Sequence, residues 1–437
     1  MMPSILFLPR GTLPIILLAG LILPQAALTL WFVWIMRSRM RSFCRRNQLR
    51  ATSAGIPAEV VLCLRGCDPT LEDVLASLAR QSHRRWRLCI VVDSVSDPAW
   101  EVAHAAIQRL TATSSPSWSG VTVEPLNERP ARGSLKCASL RQALSALAMD
   151  TQAVALIDAD SVVHADWLVT MVDECMQPGV GAVSGNRWYD PARDSPAGVV
   201  RAIWNAGAIV QMTVFGIPWG GSLAVRREAM NDCKWVEAIE ASLCEDTVLA
   251  APLALSGWAY RFVPALIAVD RDDDIALGPL GRWIARQLLT VRLHHRAWPL
   301  VAVHGLSTSI VLVATLVGTV ISGLAGARPT AATWLGFLAI YEAANLGLLL
   351  VIAAAVRAAL AQTGKHVRPL DPARTAWWAA LIPATQAVYA SAISAATWAR
   401  IVEWRGITYV WTNSRTGREV RMASTHAIEA MQTQPMS

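Results

Sequence analysis

The chain's 437 residues leave room for one large or two ordinary domains, yet 54% are hydrophobic and only 16% charged, too apolar for an average soluble protein. The net charge of +7 is dominated by arginines beside apolar runs. With no nucleic-acid motif and no interleaving of aromatic and basic residues, that charge suits anionic lipid headgroups and argues against a nucleic-acid partner.

Residues 1–12 are expected to form a short extracytoplasmic tip. Residues 13–36, LPIILLAGLILPQAALTLWFVWIM, carry no charge and are long enough to cross a bilayer core. The run is too long for a signal-peptide core and lacks a convincing small-residue cleavage site, so it reads as an anchor. Arg37, Arg39, Arg41, Arg45, Arg46 and Arg50 follow at once. Positive charge flanking a span marks the cytoplasmic side, which places residues 50–298 in the cytoplasm. All eight cysteines, from Cys44 to Cys244, then lie where disulfides are rare. Cys63 and Cys67 are the only close pair in sequence. With no second pair or nearby histidine to complete a zinc set, they read as buried thiols.

From residue 58 onward, short apolar runs alternate with helical patterns. AEVVLCL (58–64) reads as a buried strand ended by Arg65-Gly66. TLEDVLASLARQ (70–81) has apolar residues at helical spacing with Thr70 as cap. WRLCIVVD (86–93) and GVTVEPL (120–126) read as strands, EVAHAAIQRLTA (101–112) and CASLRQALSALA (137–148) as helices, and AVALI (153–157) as a fourth strand. The alternation predicts an α/β fold, a mainly parallel mixed sheet with helices on both faces. Ligands of such sheets bind at the carboxyl ends of the strands. Asp93, Asp158 and Asp160 fall on that rim. Residues two apart on an extended chain point the same way, so Asp158 and Asp160 either grip one hard cation together, Mg²⁺ or Mn²⁺, or divide the work, one holding the cation and the other the ligand. The plain alternative is a strand-end pair that caps the next helix or is simply solvated.

Residues 197–218 are apolar but interrupted by Arg201 and Asn205, which predicts an interfacial helix and not a span. Trp204 and Trp219 then belong either at headgroup depth or in core packing. Trp219-Gly220-Gly221-Ser222 is a turn that lets backbone approach a ligand closely. Glu245-Asp246 opens a helix, whose dipole favours ionised carboxylates, and such a group at a site mouth can serve as general base. Residues 299–325, 331–356 and 376–399 are expected to be transmembrane. Glu342 and Asn345 inside the second of these mark a functional position or a contact between spans. Three spans after the cytoplasmic domain put the tail, 400–437, outside. Its Arg400, Arg405, Arg415, Arg418 and Arg421 favour the cytoplasm. A re-entrant break at Pro383, Thr385 and Gln386 would reconcile the two. Residues 424–437 read as disordered.

Taken together, these motifs resemble the family 2 glycosyltransferases of the A-type nucleotide-sugar (GT-A) fold, and within them the ceramide glucosyltransferase group. VVDSVSDPAW (91–100), LIDADS (156–161) and EDTVLA (245–250) look like its three aspartate blocks. LRGCDPTLEDVLASLARQ (64–81), with Arg65, resembles its opening strand-loop-helix. GSLKCASLRQAL (133–144) resembles the loop whose lysine, here Lys136, neighbours the donor diphosphate. EWRGITY (403–409) resembles the Trp-Arg-Gly…Tyr block after the last span. One departure stands out: the (Gln/Arg)-x-x-Arg-Trp motif falls on GRWIARQLLTVRLHH (281–295), with Trp283 in the Gln/Arg place, Arg286 on the Arg and Gln287 on the Trp.

The resemblance implies an inverting transfer from a UDP-sugar to a membrane lipid, on a catalytic domain facing the cytoplasm. Asp93 would accept from the uracil edge. Asp158 or Asp160 would ligate Mg²⁺ or Mn²⁺, and Lys136 and Arg286, with Arg65 nearby, would support the diphosphate. Arg292 offers further charge. Asp246 would be the base, and Trp219, Gly220, Gly221, Glu245, Trp283 and Gln287 would face the acceptor. The alternatives are a processive polysaccharide synthase, disfavoured by few spans and the altered motif, and an inactive membrane scaffold. The sugar, the lipid and the oligomeric state are not specified by these residues.

Overall fold

The computed structural model describes residues 12–47, 55–113, 115–272, 274–414 and 417–423. Helix α1 (Thr12–Asn47) runs well past the expected anchor. Then follow β1 (Ala58–Leu64), α2 (Leu71–Ala79), β2 (Trp86–Val92), α3 (Pro98–Thr113), β3 (Gly120–Pro125), α4 (Leu135–Ser145), β4 (Ala153–Ile157), α5 (Trp167–Cys175), β5 (Val180–Ser184) and β6 (Arg187–Tyr189). Next come α6 (Pro196–Phe215), β7 (Ser222–Arg226), α7 (Arg227–Asp232), α8 (Trp235–Ile239), α9 (Glu245–Leu255), β8 (Ala259–Phe262), β9 (Ala268–Asp270) and α10 (Leu277–His294). The last described elements are α11 (Trp298–Leu324), α12 (Arg328–Ala361), α13 (Pro372–Trp398) and the strands β10 (Ile401–Trp404), β11 (Ile407–Ser414) and β12 (Gly417–Met422).

The main sheet has the order β3-β2-β1-β4-β7-β5-β8, with β7 antiparallel to both its neighbours and the other pairs parallel. The mainly parallel mixed sheet is therefore present. Its inner strands β1, β2, β4, β7 and β5 are buried on both faces, and the period of two sorts their side chains. Val60, Leu62, Leu64, Leu88 and Ile90 join the core beneath α2, α3 and α5, whereas Val61, Cys89 and Val91 join the one beneath α4, α8 and α9. Thr70 stands at the start of α2, but its side chain does not cap the helix; its hydroxyl donates to Asp68 Oδ1 at 2.8 Å. The eight cysteines are all free. Cys67 and Cys44 are exposed, so the reading of Cys63 and Cys67 as buried thiols holds only in part.

Among the described residues, five helices are long and apolar enough to cross a membrane: α1, α6, α11, α12 and α13. In α6, 67% of the apolar window is buried inside the protein, against 11% in α1 and 33% in each of the other three. Helix α6 is thus packed among protein rather than presented outward. The lower parts of α1 and α12 sink into the α/β domain. Phe32, Met36 and Phe43 share its core with Ile352, Val356 and Leu360, and Arg46 pairs with Asp173 and Glu174 of α5.

Helix α13 is continuous through Pro383, so the expected re-entrant break does not occur. Both its ends touch the α/β domain. At the start, buried Arg374 pairs with Asp190 and Asp194, each at 3.0 Å. At the end, Arg292 of α10 donates to the carbonyls of Ala396 and Ala399 at 2.7 and 2.9 Å. Arg292 is therefore engaged in holding a helix end and does not line the candidate site, contrary to its expected role as spare charge. The three-stranded sheet β10-β11-β12 folds back on the same domain. Gly133 N–H donates to Val420 O at 2.7 Å, and Val420 N–H to Ala241 O at 2.9 Å. The residues expected to be disordered, 424–437, lie outside the described ones, as do residues 1–11 of the tip.

Candidate active site

At the carboxyl edge of β1, β2 and β4 opens a continuous cavity of about 1200 Å³. Asp93, Asp158, Asp160 and Asp246 all line it, with Arg65, Lys136, Trp219, Glu245, Trp283, Arg286 and Gln287. The aspartates thus converge, although 153 positions separate the first from the last (246 − 93).

Asp93 follows the last residue of β2 and is buried. Its Oδ2 accepts from Arg65 and, at 3.3 Å, from Arg129. Its Oδ1 is buried with no partner among the described residues. A buried acceptor without a donor is costly, and this one faces a cavity where a ligand N–H can satisfy it.

Lys136 stands in the first turn of α4, which Ser134 caps by accepting from Cys137 N–H at 3.2 Å. The preceding Gly133 has φ +78°, and a Cβ there would lie 2.4 Å from Glu240 O, so only glycine fits. Lys136 Nζ lies 2.8 Å from both Asp158 Oδ1 and Glu245 Oε1. Burial opposes its charge, but the two carboxylates outweigh burial and raise its pKa well above the ordinary value. Glu245 shifts upward, chiefly through burial, with Lys136 opposing. The helix dipole therefore does not keep Glu245 readily ionised, as its position at the start of α9 suggested.

Asp158 and Asp160 are engaged by different cationic side chains in this structure. Strand β4 ends at Ile157 and the chain turns, with Ser161 N–H donating to Asp158 O at 3.1 Å, so the two-residue alternation of a strand no longer applies. Asp158 goes to Lys136. Asp160 receives both guanidinium nitrogens of Arg187, at 2.6 and 2.8 Å. Arg187 also reaches Asp270 at 3.2 Å and lies over the Trp219 ring at 5.2 Å. Burial works against the Asp160 charge, but Arg187 prevails and holds the carboxyl below its ordinary range. The donors here are carboxylate oxygens, as a hard cation requires. Among the described residues, no three histidine, cysteine or acidic side chains form a closed metal set. Two carboxylates with a substrate diphosphate and water still fit an open site of this kind.

The turn at Trp219–Ser222 brings backbone close to acids. Gly220 N–H donates to Asp246 Oδ2 at 2.8 Å. A Cβ at Gly220 would lie 2.2 Å from Glu245 Oε1, and one at Gly221 would lie 2.7 Å from Asp158 Oδ2. Both glycines, expected to face the acceptor, are buried and neither lines the cavity. They make room for the carboxylates. Asp246 Oδ1 accepts from Thr247 N–H at 2.6 Å, so both its oxygens are oriented by backbone. Trp283 packs edge-on against Tyr189 and Trp204, and Trp204 against Tyr389, which puts Trp204 in core packing. Arg286 is half-buried and lies over the Trp404 ring at 5.2 Å.

Beyond Trp283 the cavity continues between α1, α6, α11, α12 and α13, where Thr29, Asn205, Gln211, His304, Asn345 and Gln386 line it among apolar neighbours. Glu342 meets Gln386 Nε2 at 3.5 Å, so this acid faces another helix. Sequence reasoning missed Arg187, Arg129 and Gln211. An arginine set in the otherwise buried run AVSGNRWY is the signal that marks Arg187.

The profile of glycosyl transferase family 21 matches residues 15–416. The chain belongs to glycosyl transferase family 21. Its motifs pointed to family 2; the class of enzyme stands and the family is 21. It is accordingly a nucleotide-sugar glycosyltransferase. No curated protein sequence matches it. Among solved structures it is similar to a mannosyltransferase from Pyrobaculum calidifontis in complex with GDP-Man and Mn²⁺, at 19% identity over 86% of this chain and 99% of that one, with a TM-score of 0.43. It is also similar to glucosyl-3-phosphoglycerate synthase from Mycobacterium tuberculosis in complex with Mn²⁺, UDP and glucosyl-3-phosphoglycerate, at 19% identity over 56% of this chain and 82% of that one, with a TM-score of 0.36.

Proposed function

We propose that this family 21 enzyme transfers a sugar, with inversion, from a UDP-sugar to a hydroxyl of a ceramide-like membrane lipid. The observation that carries the reading is the single cavity that has the aspartates at one end and long apolar helices around the other. A lipid can bring its hydroxyl to the acids without leaving the bilayer.

In this reading Asp93 Oδ1, buried and unpartnered, accepts the uracil N–H. Asp158 and Asp160 are the residues that would hold Mg²⁺ or Mn²⁺, and Arg187 yields Asp160 when they do. The bound cation supplies Lewis-acid stabilisation of the departing diphosphate. Lys136 and Arg286 add positive charge where negative charge develops. Asp246 takes the acceptor proton as the hydroxyl attacks the anomeric carbon. Glu245 is the poorer base, since it is fully buried and tied to Lys136. Trp283 and Gln287 border the acceptor's path. The catalytic domain faces the cytoplasm, as the arginines after the first apolar run favour.

Asp246→Asn tests the assignment. Transfer from UDP-sugar into extracted lipid should fall by at least about 100-fold, the usual contribution of a positioned base, while UDP binding is retained. Turnover by the variant at the wild-type rate would remove Asp246 from the base role.

A further inference from the structure

The C-terminal sheet sits against the same cavity. Strands β10 and β11 are joined by two residues, Arg405 and Gly406, with Trp404 paired to Ile407. Both central residues have positive φ, +50° at Arg405 and +73° at Gly406. A hairpin of this kind favours Asn-Gly, because side chains other than those of asparagine and aspartate enter the left-handed region reluctantly. An arginine there is not explained by the turn. Its surroundings explain it. Arg405 lines the cavity, and its carbonyl accepts from Arg65 Nε at 2.9 Å, the same Arg65 that binds Asp93.

The distribution of charge says what the guanidinium is for. Arg65, Lys136 and Arg187 are each matched to a carboxylate of the site at short range. Arg405 has Asp68 at 3.7 Å as its nearest carboxylate among the described residues, and its side chain is 49% exposed. Arg286 stacks on Trp404, the residue before Arg405. Its charge is disfavoured first by burial and also by Arg405, with Asp158 opposing. Two guanidiniums from distant parts of the chain thus repel each other across a cavity that opens to ligand. An anion between them removes the repulsion.

We infer that the C-terminal hairpin completes the donor site, with the Arg405 guanidinium binding the anionic diphosphate of the nucleotide beside Arg286. The inference rests on the reading of this cavity as a nucleotide-sugar site. The docking of the sheet fixes the guanidinium in place: Leu135 N–H donates to Tyr409 Oη at 3.3 Å, one residue before Lys136. The diphosphate is therefore held by groups from both ends of the catalytic region.

Arg405→Asn and Arg405→Gly separate binding from folding, since both residues accept the left-handed conformation more readily than arginine. Full-length wild type and variants in detergent are titrated with UDP and with GDP, and their thermal unfolding is followed. The inference expects an unchanged or higher unfolding midpoint in both variants. It also expects the dissociation constant of the better nucleotide to rise about tenfold, the scale of one lost charged hydrogen bond. Wild-type affinity in the variants overturns it and leaves the donor-site reading intact. Wild type that binds neither nucleotide sinks both. A lowered midpoint in both variants marks Arg405 as part of the hairpin's own stability and overturns it as well.

Discussion

Lys136 is the side chain on which the charge balance of the site turns. One ammonium stands 2.8 Å from each of two carboxylates, one of them fully buried. Removing it leaves both acids facing each other without compensation, which costs about 3 kcal/mol in a buried pair. Lys136→Met should therefore lower the thermal midpoint in detergent, and adding Glu245→Gln should recover part of the loss. The pH dependence has a definite sign. Glu245 already titrates above its ordinary value of 4.5 because of burial, and without Lys136 it rises further. A carboxyl whose folded pKa is raised contributes stability below its unfolded value and loses it as pH rises through the folded one. The deficit of Lys136→Met should thus be small near pH 4.5 and grow towards neutrality; a deficit independent of pH would show that charge is not its cause. Asp93, Asp158 and Asp246 were legible in the sequence because each ends a strand or opens a helix at the ligand-binding edge, and Lys136 only through the family resemblance of its loop. The partner of Asp160 was not. Arg187 meets it only because β6 pairs with β9 outside the main sheet, and no local pattern announces that pairing.

At the level of elements, β1, β2 and β4 were legible because burial on both faces leaves an apolar run of fixed length, and the helices between the first four strands keep a period of 3.6 residues, whereas α5 and the shorter strands β5 to β9 were not read. The turn before β7 was legible as glycine-rich, and the structure adds the carboxylates it makes room for. Sequence reasoning assigned its glycines to the ligand, and a Cβ at Gly220 would strike Glu245 and come within 3.2 Å of Asp246 Oδ2. Gly220→Ala should consequently displace the α9 acids and cut turnover by about 100-fold, the order expected when a catalytic group is misplaced by about 1 Å. Measuring the maximal rate together with the apparent KM for donor checks it, since the change should fall on the former. Helix α13 could not be placed from sequence. Its hydropathy records how apolar the helix is, and neither a lipid nor a protein neighbour is distinguished by that quantity.

For the whole molecule, the contacts at the ends of α13 make a prediction about where the tail lies. At 1.5 Å per residue its 27 residues extend about 40 Å, enough to cross a bilayer. Yet Arg374 at one end and the carbonyls of Ala396 and Ala399 at the other are bound by the same α/β domain. A helix that crossed from that domain to the far side could not return its last turn to it. The expectation from these contacts is that α1, α11 and α12 cross, that α13 lies along the catalytic domain, and that β10–β12 share the side of the active site. The arginines of the tail then agree with a cytoplasmic location, and the conflict between span count and charge disappears. Single cysteines provide the test, in a background where the exposed Cys44 and Cys67 are serine. Ala325→Cys, in the exposed connection between α11 and α12, should react with a membrane-impermeant maleimide on intact cells. Thr412→Cys in β11, and Met149→Cys on the catalytic domain, where the native side chain is 94% exposed, should react only after permeabilisation. Labelling of Thr412→Cys from outside, with Met149→Cys still protected, would mean that α13 crosses after all, and the tail could then no longer reach the cavity that Arg405 lines.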